Sequence, residues 1–314
     1  MAIYGGIDSK NHGLGRRMDF AGKNAIQSHF GGGHFSSVAS HSERWSAFAG
    51  WAKENGIRDM RNISLDTIKE YAESMKSAGL AVATMHNRIS TINTVMSHAR
   101  EGQWQKISPV EAVGQARSQV RTEAPATLDR TVYAAAISDM RAAGLDRAAA
   151  VLMLARELGM RSEEASKASL DRLAQEAASR GEINVQDGVK GGRTAPRWVP
   201  VTAAGREALR AAIAARPAGS QNLLAPGESY RGWREGELRA GRELLHDHGA
   251  RGFHDARAAY ACERYAALTG HQAPAVAGHR GADRAADRTA RAVIAGEVGH
   301  GRPDVARAYV GSSK

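Results

Sequence analysis

Gly181-Glu-Ile-Asn-Val185 and Arg197-Trp-Val-Pro-Val201 are the two strand-like runs in a chain whose other periodic stretches are helical. They enclose residues 186–196, which are rich in Gly, Lys, Arg and Thr, and so predict an antiparallel β-hairpin with Lys190 on its turn. Alanine-rich helices are predicted to follow, at about residues 202–216, 231–248 and 254–269. The predicted fold class is mainly α with one small antiparallel β-hairpin.

The first half of the chain has apolar residues at helical spacing. From His34 to about Arg100 they recur every three or four residues, which indicates a small helical bundle. Ser64 directly precedes one of these stripes, a typical position for a helix N-cap. The stripes are Trp45, Phe48 and Trp51; Ile68, Tyr71 and Met75; and Met85, Ile89, Ile92, Val95 and Met96.

Composition divides the chain into four segments. Residues 1–33 are glycine-rich and polar, and they predict a flexible N-terminal arm. Residues 106–126 contain two prolines and few large apolar side chains, which is typical of an interdomain linker. The helical domain at 34–105 and a second domain at 127–314 are therefore expected on either side of this linker.

The charge balance indicates a polyanionic partner. Lys and Arg number 43 against 33 Asp and Glu, which gives a formal charge of +10 and a pI near 10.0. Such a surplus favours nucleic acid through long-range attraction and counterion release. Because neither an apolar span nor a secretory signal is found, we expect the protein in the cytoplasm, associated with the nucleoid.

The single cysteine excludes several kinds of site. Cys262 cannot form an intramolecular disulfide or a cysteine cluster for zinc. None of the twelve histidines has the spacing of a familiar metal motif. We therefore expect neither a metal nor another cofactor.

Three short motifs carry side chains that can bind, protonate or attack a phosphate diester. They are Leu158-Gly-Met-Arg-Ser-Glu-Glu164, Phe253-His-Asp-Ala-Arg257 and Val298-Gly-His300, with Tyr309 nine residues after the last of these. Each motif alone occurs by chance in many chains. Their order and the nine-residue final spacing are much more specific together.

In this order the motifs resemble those of the tyrosine recombinases, or phage-type integrases, over about residues 34–314. The resemblance implies a helical core-binding domain and a mixed α/β catalytic domain that close around duplex DNA. It implies a site-specific recombinase of a mobile genetic element, which cleaves and rejoins DNA through a 3′-phosphotyrosine intermediate without metal or ATP. A homo-tetramer on two duplexes and an accessory DNA-bending or directionality factor are further implied. The implied catalytic residues are Arg161, Lys190, His254, Arg257, His300 and Tyr309, with Glu164 in support.

The chemistry of a phosphate diester explains these residue types. Attack adds negative charge to a five-coordinate phosphorus, and Arg161 and Arg257 can hold its oxygens in forked hydrogen bonds. Tyr309 is the expected nucleophile, and His254 is the candidate for accepting its proton. Lys190 is suited to protonate the departing 5′ oxygen, and His300 to donate a hydrogen bond to a phosphate oxygen.

Several assignments have plainer alternatives. Arg161 taken alone is typical of a helix-surface ion pair. Arg193 and Arg197 compete with Lys190 for the hairpin role. His279 also follows a glycine, but no tyrosine stands nine positions later. The plain alternative for Tyr309 is an ordinary packed aromatic side chain. Tyr260 and Tyr265, on the helix after residue 254, are expected to be of that kind.

Candidate DNA contacts outside the catalytic motifs are His86, Arg88 and Ser90, together with Arg193. A solvated polar face is an equally good interpretation of the first three. A separate basic stripe at helical spacing has no assigned function, because nearby acids can neutralise it. It consists of Arg280, Arg284, Arg288 and Arg291, beside Asp283 and Asp287.

Two other functions remain open at this stage. A type IB topoisomerase shares the nucleophile and the arginines, but relaxes supercoils. A DNA-binding regulator would keep the motifs as relics. The segment 270–299 is longer than the resemblance leads one to expect, and only five residues follow Tyr309.

Overall fold

The computed structural model describes residues 5–189 and 195–313, so Lys190 and Arg193 lie outside the described residues. In chain order the elements are α1 (Met18–Phe30), α2 (Phe35–Glu54), α3 (Leu65–Ser77), α4 (Val82–Ala99), α5 (Pro109–Val113), α6 (Arg130–Ala142), α7 (Asp146–Leu158), α8 (Ser162–Lys167), α9 (Leu170–Arg180), β1 (Glu182–Asn184), β2 (Trp198–Pro200), α10 (Ala203–Ala215), α11 (Tyr230–Glu235), α12 (Glu237–Asp247), α13 (Phe253–Thr269), α14 (Pro274–Ala277), α15 (Arg284–Glu297) and α16 (Arg307–Val310). Short 3₁₀ helices lie at Lys10–Gly13, Met60–Asn62, Ala126–Leu128 and Pro303–Ala306. The predicted fold class is confirmed.

The chain divides into two compact units. The first unit is Met1–Ser118 and the second unit is Gln119–Lys314. The division falls inside the segment 106–126, where the sequence predicts a linker. The roles of the two units in DNA binding and catalysis remain proposals.

The first unit is a helical bundle. The three predicted stripes are the inner faces of α2, α3 and α4, and all their members are buried except Trp51, which is partly exposed. Ser64 caps α3, because its side chain accepts a hydrogen bond from the Thr67 main chain while the Thr67 hydroxyl accepts one from the Ser64 main chain, both at 3.2 Å. This reciprocal pair satisfies N–H groups that a helix start leaves open.

The prediction of a flexible arm at residues 1–33 is wrong. Residues 18–30 form α1, which packs against α2, and Met18 and Ile26 lie in the core of the bundle. Gly22 shows why the glycine-rich composition misleads, because a Cβ at this position would lie 1.9 Å from the Trp45 ring. The glycine allows a close helix–helix approach instead of marking a loop.

The predicted linker is also more ordered than its composition suggests. Pro109 occupies the first turn of α5, a position where proline is well tolerated. Ile107, Ala112 and Val113 are buried in the core of the first unit. Residues as far as Val113 therefore belong to that unit.

The second unit is built around α7. Every residue from Ala148 to Leu158 is buried, and α10 and α13 pack against this helix. Alanine side chains allow such close packing from several sides. The predicted packing of Tyr260, Cys262 and Tyr265 agrees with their positions, because all three are buried on α13.

β1 and β2 form the expected antiparallel pair. Ile183 lies opposite Val199, and both are fully buried.

The helix predicted at 231–248 is divided into α11 and α12 by Gly236, whose φ of −96° and ψ of −113° are not helical.

The segment 270–299, which the sequence leaves open, forms α14 and α15. Asp283 caps α15 by accepting hydrogen bonds from the main chains of Ala285 and Ala286. α15 packs against α13 and ends just before Gly299. In the part of the chain that is described, no helix has the length and apolar character needed to cross a membrane.

Candidate active site

The site begins where α7 ends. Gly159 closes α7 in the left-handed conformation at φ +60°, and a Cβ there would lie 2.7 Å from the Tyr260 ring. Only glycine meets both conditions without strain. The carbonyl of Gly159 accepts hydrogen bonds from Arg197 and Arg257, which come from distant parts of the chain. The end of α7 thus brings two guanidiniums together.

Arg161 and Glu164 lie at the start of α8. The Glu164 carboxylate accepts a hydrogen bond from the main chain of Arg161 at 2.7 Å and another from its Nη1 at 2.6 Å. These contacts give a partner to a main-chain N–H group at the start of α8, and they orient the Arg161 side chain. The Arg161 side chain stays 26% exposed, whereas those of Arg197 and Arg257 are 3% and 1% exposed. Arg161 is therefore both an ion-pair partner and an accessible cation.

Glu164 is the counter-ion of the whole cluster. It is fully buried, accepts a hydrogen bond from Arg197 Nη1 at 2.7 Å and lies 3.6 Å from Arg257 Nη1. Burial alone would raise the pKa of this carboxyl, but the charges of Arg197, Arg257 and Arg161 outweigh it and lower the pKa. One carboxylate therefore holds three guanidiniums together.

Replacement of Glu164 by Gln is expected to lower the free energy of unfolding by about 3–5 kcal/mol, because buried guanidiniums lose their counter-ion. Denaturant unfolding measures this loss. Glu163→Gln is the matched control, since the neighbouring Glu163 pairs with the partly exposed Lys167 at 2.5 Å. That surface pair contributes at most about 1 kcal/mol. Equal losses in the two variants would contradict the counter-ion role.

α13 brings His254 and Arg257 to the cluster in its first turns. Arg257 is fully buried, and its two terminal nitrogens donate to the carbonyls of Gly159 and Val298. Its Nε donates to the Tyr309 hydroxyl at 3.3 Å. Burial lowers the pKa of Arg257 to about 10, so the guanidinium remains charged at neutral pH.

The turn that carries His300 depends on Gly299. This glycine has φ +67°, and a Cβ there would lie 2.9 Å from Arg197 Nη1 and 3.2 Å from Arg161 Nη1. A larger residue would be strained and would displace the guanidiniums. The Gly-His pair of the motif is therefore a packing requirement of this site.

Tyr309 points into the cluster from α16. Its side chain is almost fully buried, and its hydroxyl lies 2.9 Å from His300 Nε2 and 3.3 Å from Arg257 Nε. The Arg257 guanidinium carbon lies 5.5 Å from the centroid of the phenol ring. The structure thus brings together Arg161, His254, Arg257, His300 and Tyr309, which are widely separated in the sequence.

His254 and His300 differ in their distance from the Tyr309 hydroxyl. The His254 ring centroid lies 5.3 Å from that of Tyr309, whereas His300 is hydrogen-bonded to the phenol oxygen. Which His300 nitrogen carries the proton depends on the tautomer. His300 is therefore better placed to accept the phenol proton, and His254 to contact a phosphate oxygen.

The two imidazoles are neutral in the folded protein at pH 7. Burial, followed by the charges of Arg161 and Arg257, lowers the pKa of His300 to about 4. The His254 residue is exposed as a whole, but its ring is enclosed by neighbouring atoms. This enclosure and the charges of Arg257 and Arg161 lower the pKa of His254 to about 4 as well. A bound phosphate diester would offset these cations and raise both pKa values.

These pKa values predict how stability depends on pH. Each imidazole has a folded-state pKa of about 4 and an ordinary value of 6.5. Between these values the unfolded chain binds more protons, so the free energy of unfolding falls as the pH is lowered from 6.5 towards 4. Thermal unfolding at pH 7 and pH 5 measures the effect, which should be smaller in His300→Gln. An unchanged pH dependence in that variant would contradict the assignment.

Arg197 is the residue whose role the sequence analysis missed. It was considered for the proton-donor role of Lys190, but it is only 4% exposed and also donates from Nε to the Glu297 carbonyl at 2.7 Å. A fixed, buried guanidinium holds Glu164 and does not move with a turn. The sequence does carry a signal for this buried position. Side chains alternate between the two faces of a strand, and Arg197, Val199 and Val201 lie on the same buried face.

The remaining candidate residues have surroundings of their own. His279 is exposed and is hydrogen-bonded to the Ala277 carbonyl. His86 is buried and bonded to the Gln115 carbonyl at 2.8 Å, so it is removed from the predicted DNA contacts. Arg88 is partly exposed and bonded to the Tyr71 hydroxyl, and Ser90 is exposed. Over the described residues, no group of three or more His, Cys, Asp or Glu side chains is arranged to hold a metal ion.

Comparison with known proteins shows a likeness to the integrases. Residues 116–263 match the family model described as Integrase. The fold is shared with Tn1549 transposon integrase in complex with transposon right end DNA, at 13% identity, TM-score 0.60 and coverage of 93% of this chain and 95% of that chain. The match to the Integrase family covers a little under half of the chain, and the fold is that of a solved transposon integrase. The matched range contains Arg161, His254 and Arg257, and ends before His300 and Tyr309.

Two further solved structures share the fold of this chain. XerH site-specific recombinase bound to difH substrate is 15% identical with TM-score 0.56, and the match covers 92% of this chain and 80% of that chain. A lambda integrase dimer bound to a COC′ core site is 17% identical with TM-score 0.53, at coverages of 88% and 89%. No curated protein sequence matches the chain. At these identities the structural likeness establishes the fold, and the site rests on its own geometry.

Proposed function

We propose that this protein cleaves and rejoins DNA strands by transesterification at Tyr309, through a 3′-phosphotyrosine intermediate. The observation that carries the proposal is the convergence on one hydroxyl, since Tyr309 Oη is hydrogen-bonded to both His300 and Arg257. A tyrosine that served packing alone would need no imidazole and guanidinium at its hydroxyl. A phenol between a base and a cation is suited to nucleophilic attack.

The scissile phosphate is proposed to bind at Arg161. This side chain lines two adjoining cavities, one of about 240 Å³ that includes His254 and Arg257, and one of about 260 Å³ that includes His300. It is also the accessible member of the arginine cluster. A diester held there would have cations on more than one side, as its five-coordinate transition state requires.

The reaction is a balanced exchange of ester bonds. Tyr309 Oη attacks phosphorus and forms the new O–P bond, while the bond from phosphorus to the 5′ oxygen breaks. His300 accepts the phenol proton, and the 5′ oxygen takes up a proton as it leaves. The number of phosphate ester bonds is unchanged, so a second DNA strand can reverse the step without ATP.

Arg257 has two ways of binding the phosphate during this step. A guanidinium has five N–H donors, and three of those on Arg257 are bonded to Tyr309, Gly159 and Val298. A phosphate oxygen can use the remaining donors, or replace the phenol at Nε as Tyr309 moves to attack. Lys190 is retained as the proposed proton donor to the 5′ oxygen.

The biological setting is proposed from the fold and the charge. A surplus of basic residues suits double-stranded DNA as the partner, and the first unit is proposed as the core-binding domain. The likeness to an integrase in complex with transposon DNA supports an integrase of a mobile genetic element, acting in the cytoplasm on nucleoid DNA. A tetramer on two duplexes and an accessory factor complete the proposal.

A selection experiment tests this function. The protein is incubated with a library of random duplexes, denatured with detergent, and the DNA that stays attached is sequenced. The proposal predicts a recurrent sequence with cleavage at a fixed position, and strand exchange between two plasmids that carry it. Relaxation of any supercoiled plasmid without exchange would favour a topoisomerase, and DNA held only before denaturation would favour a regulator.

A further inference from the structure

The helix that carries Tyr309 cannot hold its own position. α16 spans only Arg307–Val310, and a helix this short is not stable in water by itself. On its N-terminal side, the Arg307 carbonyl accepts a hydrogen bond from the main chain of Arg121 at 2.9 Å. On its C-terminal side the chain turns at Gly311. The contacts of this second side therefore add to those of Tyr309 itself in fixing where the phenol points.

Gly311 brings the chain against α14. It has φ +89°, and a Cβ there would lie 2.5 Å from the main-chain nitrogen of Ala275. This approach is open only to glycine. The residues after Tyr309 are thus packed on the segment 270–299, whose role the sequence did not indicate.

Arg291 on α15 fastens the same stretch of chain. Its Nη1 donates to the Gly311 carbonyl at 2.9 Å and its Nη2 to the Ser312 carbonyl at 3.0 Å. Its Nε is bonded to both oxygens of Asp287, at 2.9 and 3.0 Å. Arg291 is 7% exposed and Asp287 is 4% exposed. A buried guanidinium with these partners is committed to the protein and is not available to DNA.

Asp287 connects this contact to the catalytic helix. The Tyr265 hydroxyl donates to Asp287 Oδ1 at 2.8 Å, and Tyr265 is fully buried on α13, the helix of His254 and Arg257. Burial and the adjoining carboxylate raise the pKa of Tyr265 to about 12, so the phenol keeps its proton. A continuous set of buried hydrogen bonds therefore runs from α13 through α15 to the residues after Tyr309.

Arg291 differs in this respect from other members of its basic stripe. Arg284 and Arg288 are exposed on the same helix, whereas Arg291 is buried, although all three line one cavity of about 530 Å³. Arg280 donates to the Ser313 carbonyl at 2.9 Å but is only partly buried. The stripe therefore has an inward member with a structural contact and outward members open to solvent.

We propose that Arg291 is a positioning residue for the nucleophile, which holds the chain after Tyr309 so that the phenol stays aimed at the arginine cluster. The proposal rests on the proposed function, because aiming matters only if Tyr309 attacks DNA. Arg291 acts through the main chain and does not touch the reacting phosphate.

The kinetic test uses Arg291→Ala, Arg291→Lys and the charge-matched Arg288→Ala. Formation of the covalent adduct is followed in a single turnover at saturating DNA, with the duplex recovered by selection. Arg291→Ala should lower the rate constant by about tenfold to a hundredfold, since a displaced nucleophile reacts slowly. Arg291→Lys should recover part of the rate, Arg288→Ala should keep it, and Arg291→Ala should leave the Kd for DNA unchanged.

A second measurement does not depend on activity. Hydrogen exchange of the C-terminal peptide 306–313 reports whether the chain after Tyr309 is held. Arg291→Ala should speed exchange there, while Arg288→Ala should not. If the unaltered protein forms no adduct but this difference is seen, the proposed function fails and the anchoring contact stands.

Three results would overturn the proposal. Arg291→Ala could weaken DNA binding and leave the rate at saturation unchanged, which would make it a DNA contact. It could lower only the unfolding temperature and the fraction of active protein, with the rate constant unchanged, which would make it a stability residue. Equal exchange of the C-terminal peptide in all proteins would remove the anchor itself.

Discussion

Tyr309→Phe is expected to abolish covalent attachment to DNA, with a loss of about a thousandfold or more, because no other group can take the place of an essential nucleophile. The change removes one oxygen and leaves the ring that is buried on α16. DNA binding should persist, since the arginine cluster is intact. Adduct yield on a denaturing gel and DNA affinity before denaturation measure the two quantities separately.

Tyr230→Phe is the matched control for this experiment. Tyr230 lines the same cavity as Arg161 and His254 and also loses only a hydroxyl. Burial raises the pKa of Tyr230, and its hydroxyl is not among those bonded to His300. The control should form the adduct at the normal rate. An adduct that survived in Tyr309→Phe would contradict the assignment of the nucleophile.

Arg257→Lys is expected to lower the rate of adduct formation by about a hundredfold to a thousandfold, the usual cost of losing a preorganised donor to a developing oxyanion. Lysine keeps the charge, but it cannot reach Gly159, Val298 and the phosphate in a planar fork. The loss should appear at saturating DNA, because Arg257 lies too deep for the first encounter with the duplex.

Arg264→Lys on the same helix controls for this exchange. The Arg264 guanidinium is paired with Glu297 at 2.8 Å, and lysine can keep that ion pair. Its rate should stay close to that of the unaltered protein. A rate in Arg257→Lys equal to that in Arg264→Lys would show that charge alone is needed at position 257.

The sequence predicted much of the fold because its signals are local. Apolar spacing located α2, α3 and α4, and the Val-Pro strand located the hairpin. The arm at residues 1–33 was mispredicted, because a glycine in a close helix contact looks like a glycine in a loop. Gly22 shows its role only once Trp45 is in place.

The site was predictable by residue type and less so by role. The motifs named the members of the cluster, but which of His254 and His300 contacts the Tyr309 hydroxyl depends on distances that sequence spacing does not fix. The counter-ion role of Glu164 towards Arg197 joins residues 33 positions apart in the sequence. The contact of Arg291 with the chain after Tyr309 joins elements that share no recognisable motif.

In the proposed reaction, Tyr309 supplies the oxygen of the new ester bond to phosphorus. The most direct measurement is to digest the trapped protein–DNA adduct with protease and nuclease and to locate the remaining nucleotide by mass spectrometry. We predict a nucleotide 3′-phosphate attached to Tyr309. A nucleotide attached to any other side chain, or a 5′-phosphate at Tyr309, would contradict the account.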